Sequence, residues 1–214
     1  MAPTEDPAPI LIVMWHSTED GADELFADLR RETQETWGHL LCQHGQFWGR
    51  AIERPKKFFW VIYFHDADAL VLFKSHPDNG VFRARCALVG ADHLALYRPA
   101  LAYPLLPLVT APITTFNYFR LKAEWELAPV ENLVVACNGL LASRKLPGYY
   151  GYTWVIPDER GGEGLLIGGW ETIEQHDQMG KDDEELVERY EELFTTAAKI
   201  DVNHAHFERY PPLS

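Results

Sequence analysis

At 214 residues the chain has room for one domain or two small ones, and a 47% hydrophobic share beside 24% charged residues allows a proper buried core. A formal net charge of −13 argues against nucleic acid or an anionic membrane as a partner, since either would repel the chain. Three widely spaced cysteines in apolar settings, Cys42, Cys86 and Cys137, lack metal-ligand spacing and read as reduced, buried small hydrophobes of a reducing compartment.

Residues 1–9 form a tail with prolines and acids, without the basic-then-apolar build of a signal peptide, and no apolar run approaches the roughly 18 residues of a membrane helix. A cytoplasmic protein is expected. Seven Trp, nine Tyr and eleven Phe are enough either to pack a core or to wall a ligand cavity.

In chain order, Ile10 to His16 is an apolar strand, and Ser17-Thr18 before two acids suits a helix start. Ala22 to His44 carries Leu25, Phe26, Leu29, Thr33, Trp37, Leu40 and Leu41 at helical spacing, stopping at Gly45. Phe47 to Ile52 and Phe58 to Phe64 read as strands, followed by a helix from Ala67 to Ser75 that breaks at Pro77 and resumes to Val89. His93 to Arg98 is the next strand. The segment 99–112, with Pro99, Pro104, Pro107 and Pro112, reads as an apolar connector with neither helix nor central strand.

The pattern then begins again. Ile113 to Leu121 is a strand, and Pro129 opens a helix with Val130, Val134, Cys137 and Leu141 on one face. Tyr149 to Ile156 and Leu165 to Trp170 are strands around a charged, glycine-containing turn. Glu184 to Ala198 is a helix with an acidic first turn, and Asp201 to Glu208 closes the chain as a strand.

Each half reads strand, helix, strand, strand, helix, strand. Ile10 matches Ile113, Phe64 matches Trp170, and Ala95-Leu96-Tyr97 matches Ala205-His206-Phe207. The expected class is α+β: a tandem duplication of a ferredoxin-like βαββαβ unit forming an intramolecular α+β barrel, so that sheets bury each other's bare faces. The expected organisation is a flexible tail at 1–9, a first repeat at 10–98, the connector at 99–112 and a second repeat at 113–214. That makes a pseudo-dimer within one chain and leaves a further homodimer open.

Phe73-Lys74-Ser75-His76-Pro77-Asp78-Asn79 and Gly169-Trp170-Glu171-Thr172-Ile173-Glu174-Gln175-His176 carry a family likeness. The chain resembles the dimeric α+β-barrel superfamily, which includes antibiotic-biosynthesis-monooxygenase (ABM) domains, stress-responsive barrel proteins and the plant olivetolic acid cyclase. The first stretch is similar to the His-Pro turn of those proteins and the second to the strand-to-helix junction of ABM domains. The resemblance implies a ligand hollow between each sheet and its own helices. It does not carry over the cyclase's acid–base pair: Ile12 and Thr115 stand where its first-strand histidine is expected, and Asn79 follows the turn.

Alternation on the last strand puts His204, His206 and Glu208 on one face, where the first repeat offers Leu94 and Leu96. On the first strands, Thr115, Asn117 and Phe119 face Ile12, Met14 and His16 in the same comparison. A polar cluster replacing apolar residues places a pocket in the second repeat, because unsatisfied imidazole and amide groups in a packed core cost about 1–3 kcal/mol each. A register shifted by one would instead turn the histidines to solvent, and an internally satisfied His–Glu–Asn network is a further reading.

With a pocket, His204 or His206 is the general acid or base and Glu208 orients His206. Thr115 and Asn117 hold an enolate or carbonyl oxygen, and Phe119, Tyr150, Tyr152 and Trp170 supply aromatic walls and donors. No glycine-rich phosphate loop, serine elbow or Cys-His metal grouping is present, so no cofactor and no metal are expected. The expected function is a cofactor-independent enzyme (cyclase, isomerase, dehydratase or decarboxylase type, or an ABM-like monooxygenase) on a hydrophobic aromatic or polyketide-like metabolite. The alternative is a barrel protein that binds such a molecule without turning it over.

Overall fold

The computed structural model describes residues 10–16, 22–88, 90–99, 105–123, 126–157, 162–179, 181 and 183–211. The expected N-terminal tail and the Ser17-Thr18 helix start lie outside them. The chain divides into two compact units, Met1–Arg98 with Phe207–Ser214, and Pro99–His206.

Unit 1 runs β1 (Ile10–His16), α1 (Ala22–Trp37), β2 (Leu41–Ala51), β3 (Lys57–Phe64), α2 (Ala67–Ser75), α3 (Asn79–Leu88) and β4 (Ala91–Pro99). Its strands pair antiparallel in the order β2-β3-β1-β4. Helix α1 buries Phe26, Leu29, Arg30, Thr33 and Trp37, the three-and-four spacing of one helical face. These pack on Leu11, Val13, Phe58, Trp60 and Ile62 of the sheet. Asp66 caps α2 by accepting from the Ala69 N–H, and the His76-Pro77 turn separates α2 from α3.

The helix expected to reach His44 stops at Trp37, passes through a 3-10 turn (Gly38–Leu40) and becomes strand at Leu41. Gly45, at φ +65°, lies where the β2–β3 register shifts between Leu41 and Gln46. A positive φ suits glycine, and the resulting bulge lets the strand start six residues early.

Unit 2 repeats the order: α4 (Leu106–Val109), β5 (Ile113–Leu121), α5 (Leu127–Arg144), β6 (Tyr149–Pro157), β7 (Glu163–Trp170), α6 (Ile173–Gln178), α7 (Glu184–Thr195) and β8 (Ala197–Tyr210), whose last residues belong to unit 1. The sheet order is β6-β7-β5-β8, again antiparallel. The α+β tandem duplication of a ferredoxin-like unit expected from the sequence is therefore observed. The connector, expected to lack helix, contains the single turn α4, with Pro107 in the first turn, where a missing N–H costs nothing. Thr114 donates to the Leu108 carbonyl at 2.8 Å, and Gly169 lets α4 approach: a Cβ there would stand 3.1 Å from Leu108 Cα. Helix α7 ends at Thr195, three residues before the expected end, and β8 begins at Ala197 rather than Asp201.

Register fixes which positions of the two units correspond. Leu11 pairs with Ile62 and Leu96, and Thr115 pairs with Gly168 and His204. Val13 pairs with Trp60 and Leu94, and Asn117 with Leu166 and Val202. So Thr115 and Asn117 correspond to Leu11 and Val13, one residue away from the Ile12 and Met14 expected from the sequence, and His204 corresponds to Leu96 rather than Leu94. The contrast between an apolar first copy and a polar second copy survives the correction. It also gains a volume component: Ile62 and Trp60 of unit 1 become Gly168 and Leu166.

Among the described residues, no helix is long and apolar enough to cross a membrane. Cys86 and Cys137 are buried, and burial pushes their thiols up to about 12 and about 11; Cys42 is only half-buried, against expectation.

Candidate functional site

The side chains lost between the units leave a hollow in unit 2. A cavity of about 340 Å³ lies between the sheet face and helices α6 and α7. Its sheet wall is Thr115 and Asn117 of β5, Tyr152 of β6, Leu166, Gly168 and Trp170 of β7, and Ile200 and Val202 of β8. Its helical wall is His176, Asp177 and Met179 with Val187, Tyr190, Glu191 and Phe194. A Cβ on Gly168 would stand 2.7 Å from Thr115 Oγ1 and 3.0 Å from Trp170 Nε1, so only glycine keeps this part of the wall open.

Two buried polar atoms on this wall lack a hydrogen-bond partner: Asn117 Oδ1 and Trp170 Nε1. Each such atom normally has a partner, and leaving one unmade costs about 1–3 kcal/mol. One is an acceptor and one a donor, a complementary pair just under the surface of the wall. Thr115 already donates to the Gly168 carbonyl, at a long 3.4 Å.

The imidazole of His204 is buried, with Thr115 opposite it across β5 and β8. Its Nε2 lies 2.8 Å from Nδ1 of His176, and the rings meet edge to face at 4.8 Å. His176 in turn leans edge-on against Trp170, at 5.2 Å. Its backbone is held by α6, whose first turn is closed by a reciprocal capping box between Thr172 and Gln175. Asp177 Oδ1 is 3.5 Å from His176 Nδ1. The cavity thus has a histidine pair at its edge, one ring on the wall and the other behind it.

Tyr152 donates to the Val134 carbonyl at 3.0 Å, and Tyr190 lies 3.7 Å from Met179 Sδ. Burial raises both phenols well above their ordinary value of 10.0. Both therefore stay protonated and can donate but not act as bases. A raised folded-state pKa favours the fold while the phenol is neutral. This stability is complete below about pH 10 and is lost as pH climbs from there towards the folded-state values. Alkaline titration followed at 295 nm should show these two tyrosines ionising only together with unfolding.

Of the other residues singled out in the sequence, Phe119 is fully buried just beneath the cavity, against Trp154 at 5.9 Å and Phe194 at 6.4 Å. Tyr150 is exposed and donates to Glu171 at 2.6 Å. His206 is exposed, and its Nδ1–H donates to the Pro112 carbonyl at 2.7 Å. Glu208 is exposed and belongs to unit 1. There its charge opposes, without cancelling, the desolvation that lowers the pKa of Arg30. The structure brings Thr115, Asn117, Tyr152 and Trp170 together on the cavity wall, sets His204 behind it through His176, and leaves Phe119, Tyr150, His206 and Glu208 off the wall. Sequence reading gave no role to His176, Asp177 or Tyr190. The sequence carries a signal for two of them: Tyr190 falls at helical spacing with Leu186, Leu193 and Phe194, and His176 closes the Gly169-to-His176 stretch.

No family model matches the chain, and no curated protein matches it. Solved structures do. An anthrone oxidase-like protein aligns over 97% of this chain and 95% of its own, at 12% identity and a TM-score of 0.63. A monooxygenase-like protein from Listeria innocua aligns over 97% and 96%, at 13% identity and 0.52. A ferredoxin-fold protein from Listeria monocytogenes, related to antibiotic biosynthesis monooxygenases, aligns over 97% and 98%, at 10% identity and 0.52.

The fold of this chain is theirs. The likeness runs through both units and agrees with the tandem ABM-like architecture read from the sequence. At these identities it carries the fold and no residue roles.

Proposed function

We propose that the chain is a small-molecule enzyme of the ABM-like type, working without a cofactor on a hydrophobic aromatic or polyketide-like metabolite held in the unit 2 cavity. The observation that carries this reading is the His176–His204 pair on a largely apolar hollow with two unpartnered polar atoms. An apolar cavity with a few placed polar groups suits a flat ring system bearing oxygen substituents. Trp170 Nε1–H donates to a carbonyl or enolate oxygen, and the Asn117 carbonyl accepts from a ligand hydroxyl or acidic C–H neighbour. An imidazole changes charge near neutral pH and takes the proton, while the donor on the other side steadies the charge that develops.

Proton removal next to a carbonyl is a step shared by cyclisation, isomerisation, dehydration and decarboxylation. Oxygenation is a variant, in which the carbanion adds dioxygen and a proton to give a hydroperoxide that loses water and leaves a ketone; two structural neighbours are named anthrone oxidase-like and monooxygenase-like. Of the three residues first assigned to acid–base work, His204 stays in this role, now through His176. His206 and Glu208 keep no part in the proposal because their side chains lie off the cavity wall.

The test is turnover of anthrones and hydroxynaphthalene ketones by wild type, His176→Ala and His204→Ala. Each variant is expected to lose about 10²–10⁴-fold in rate while ligand binding changes little. Full turnover in both variants rules out the imidazole mechanism. Ligand binding with no turnover by wild type would make the cavity a sequestering site.

A further inference from the structure

We propose that His176, Asp177 and His204 form a binding site for a first-row divalent transition-metal cation, which is an alternative occupant to the proton shared by the two imidazoles. The inference goes beyond the proposed function: it needs the histidine pair and its carboxylate neighbour, and no turnover.

The geometry is the main support. His176 Nδ1 and His204 Nε2 are 2.8 Å apart, Asp177 Oδ1 is 3.5 Å from the same Nδ1, and all three donor atoms lie within 4.8 Å of one another. Around a cation with ligands at about 2.0–2.2 Å, neighbouring donors stand about 3.0–3.4 Å apart. The imidazole nitrogens need only separate by a few tenths of an ångström, while the carboxylate oxygen, near enough to His176 and within 4.8 Å of both nitrogens, closes on the cation by rotation of the exposed Asp177 side chain.

Two imidazoles with one carboxylate form a donor set of intermediate softness. It suits zinc, cobalt or iron(II) better than calcium or magnesium, which take all-oxygen sites, or copper(I), which prefers sulfur. The two facing nitrogens share one N–H in the metal-free pair. When the cation binds, that proton moves to the far nitrogen of its own ring, so both imidazoles stay neutral and both facing lone pairs turn to the metal.

The rings are held on rigid supports. His204 sits in the β5–β8 ladder opposite Thr115, and His176 is clamped between the capped first turn of α6 and the Trp170 ring. Asp177 is exposed and gives a cation a path from solvent, and the net charge of −13 draws one in. His176 and Asp177 line the cavity, so three protein ligands leave coordination positions open towards it. In unit 1 the position matching His204 is Leu96.

A cation held there occupies the imidazole nitrogens on which acid–base turnover depends, so the same pair would serve as an off-switch for that chemistry. The test uses full-length, untagged protein freed of metal by chelation and titrated with CoCl2 and ZnCl2. Calorimetry and the visible absorption of bound cobalt provide readouts that need no activity. The expected result is one saturable site of micromolar affinity. It should weaken about 10–100-fold in His176→Gln and in His204→Gln, and measurably in the exposed variant Asp177→Asn, whose fold is not at stake. His206→Gln should bind as wild type does. Absence of saturable binding up to about 1 mM overturns the proposal. So does affinity unchanged by both the histidine variants and Asp177→Asn, or lost equally in His206→Gln. Metal binding by a protein without turnover would leave this site standing and remove only the acid–base reading.

Discussion

Gly168→Val is expected to abolish ligand occupancy of the unit 2 cavity. The Cβ alone would stand 2.7 Å from Thr115 Oγ1, 3.0 Å from Trp170 Nε1 and 3.6 Å from Tyr152 Cβ, and the two methyls beyond it would project over the same wall. Thr115 and Trp170 are 1% and 2% exposed and have nowhere to retreat, so overpacking adds a stability loss of about 1–3 kcal/mol. Binding should suffer more than stability, because the substitution covers the Trp170 donor and refills the volume that Ile62 occupies in unit 1. Calorimetric titration with a hydroxylated aromatic ketone, beside urea unfolding, separates the two effects. Undiminished affinity in a folded Gly168→Val variant would remove the cavity as the ligand site.

Trp60→Ala is expected to cost about 3–5 kcal/mol of folding stability, and to lower the melting temperature by roughly 10 °C or more. Trp60 is fully buried, meets Phe26 at 5.3 Å and Phe82 at 5.9 Å, and donates through Nε1 to Gln46 Oε1 at 3.0 Å. Its removal opens a void among side chains held by three separate elements and leaves the buried Gln46 acceptor without this donor. Trp60→Phe should cost less, since it keeps most of the volume. The corresponding position in unit 2 is Leu166, on the cavity wall, where Leu166→Ala enlarges an existing hollow and so should cost less than Trp60→Ala.

The duplication was legible because both halves carry the same succession of period-2 and period-3.6 stretches, broken at matching places by proline and glycine. Boundaries were less so. Leu40 and Leu41 continue the helical spacing of Phe26 and Trp37, which hides the change from helix to strand, and the bulge at Gly45 has no signature beyond a glycine. Four prolines in the connector mask the helix there, because Pro107 sits at a helix start and is tolerated.

The site was half legible. Polar residues on strands that are apolar in the first copy pointed to the second copy. A slip of one residue on the first strand and two on the last left the histidine face ambiguous, because alternation alone does not say which residue meets the partner strand. In β8 the residues 203, 204 and 205 are all buried, so burial does not alternate there either. His176 was out of reach of such reasoning: it sits 28 residues from His204 on a six-residue helix too short to show a period.

Amide and indole NMR shifts followed during titration with a hydroxylated anthrone test most directly the proposal that a ligand is held in the unit 2 hollow, with His176, Trp170 and Asn117 on its wall. The prediction is that the Trp170 indole N–H and the amides of β5, β7 and α7 shift together with a single saturation curve, and that the Trp60 indole N–H, bonded to Gln46, stays in place. Saturable shifts at Trp60 and α1 without movement of the Trp170 indole would contradict it.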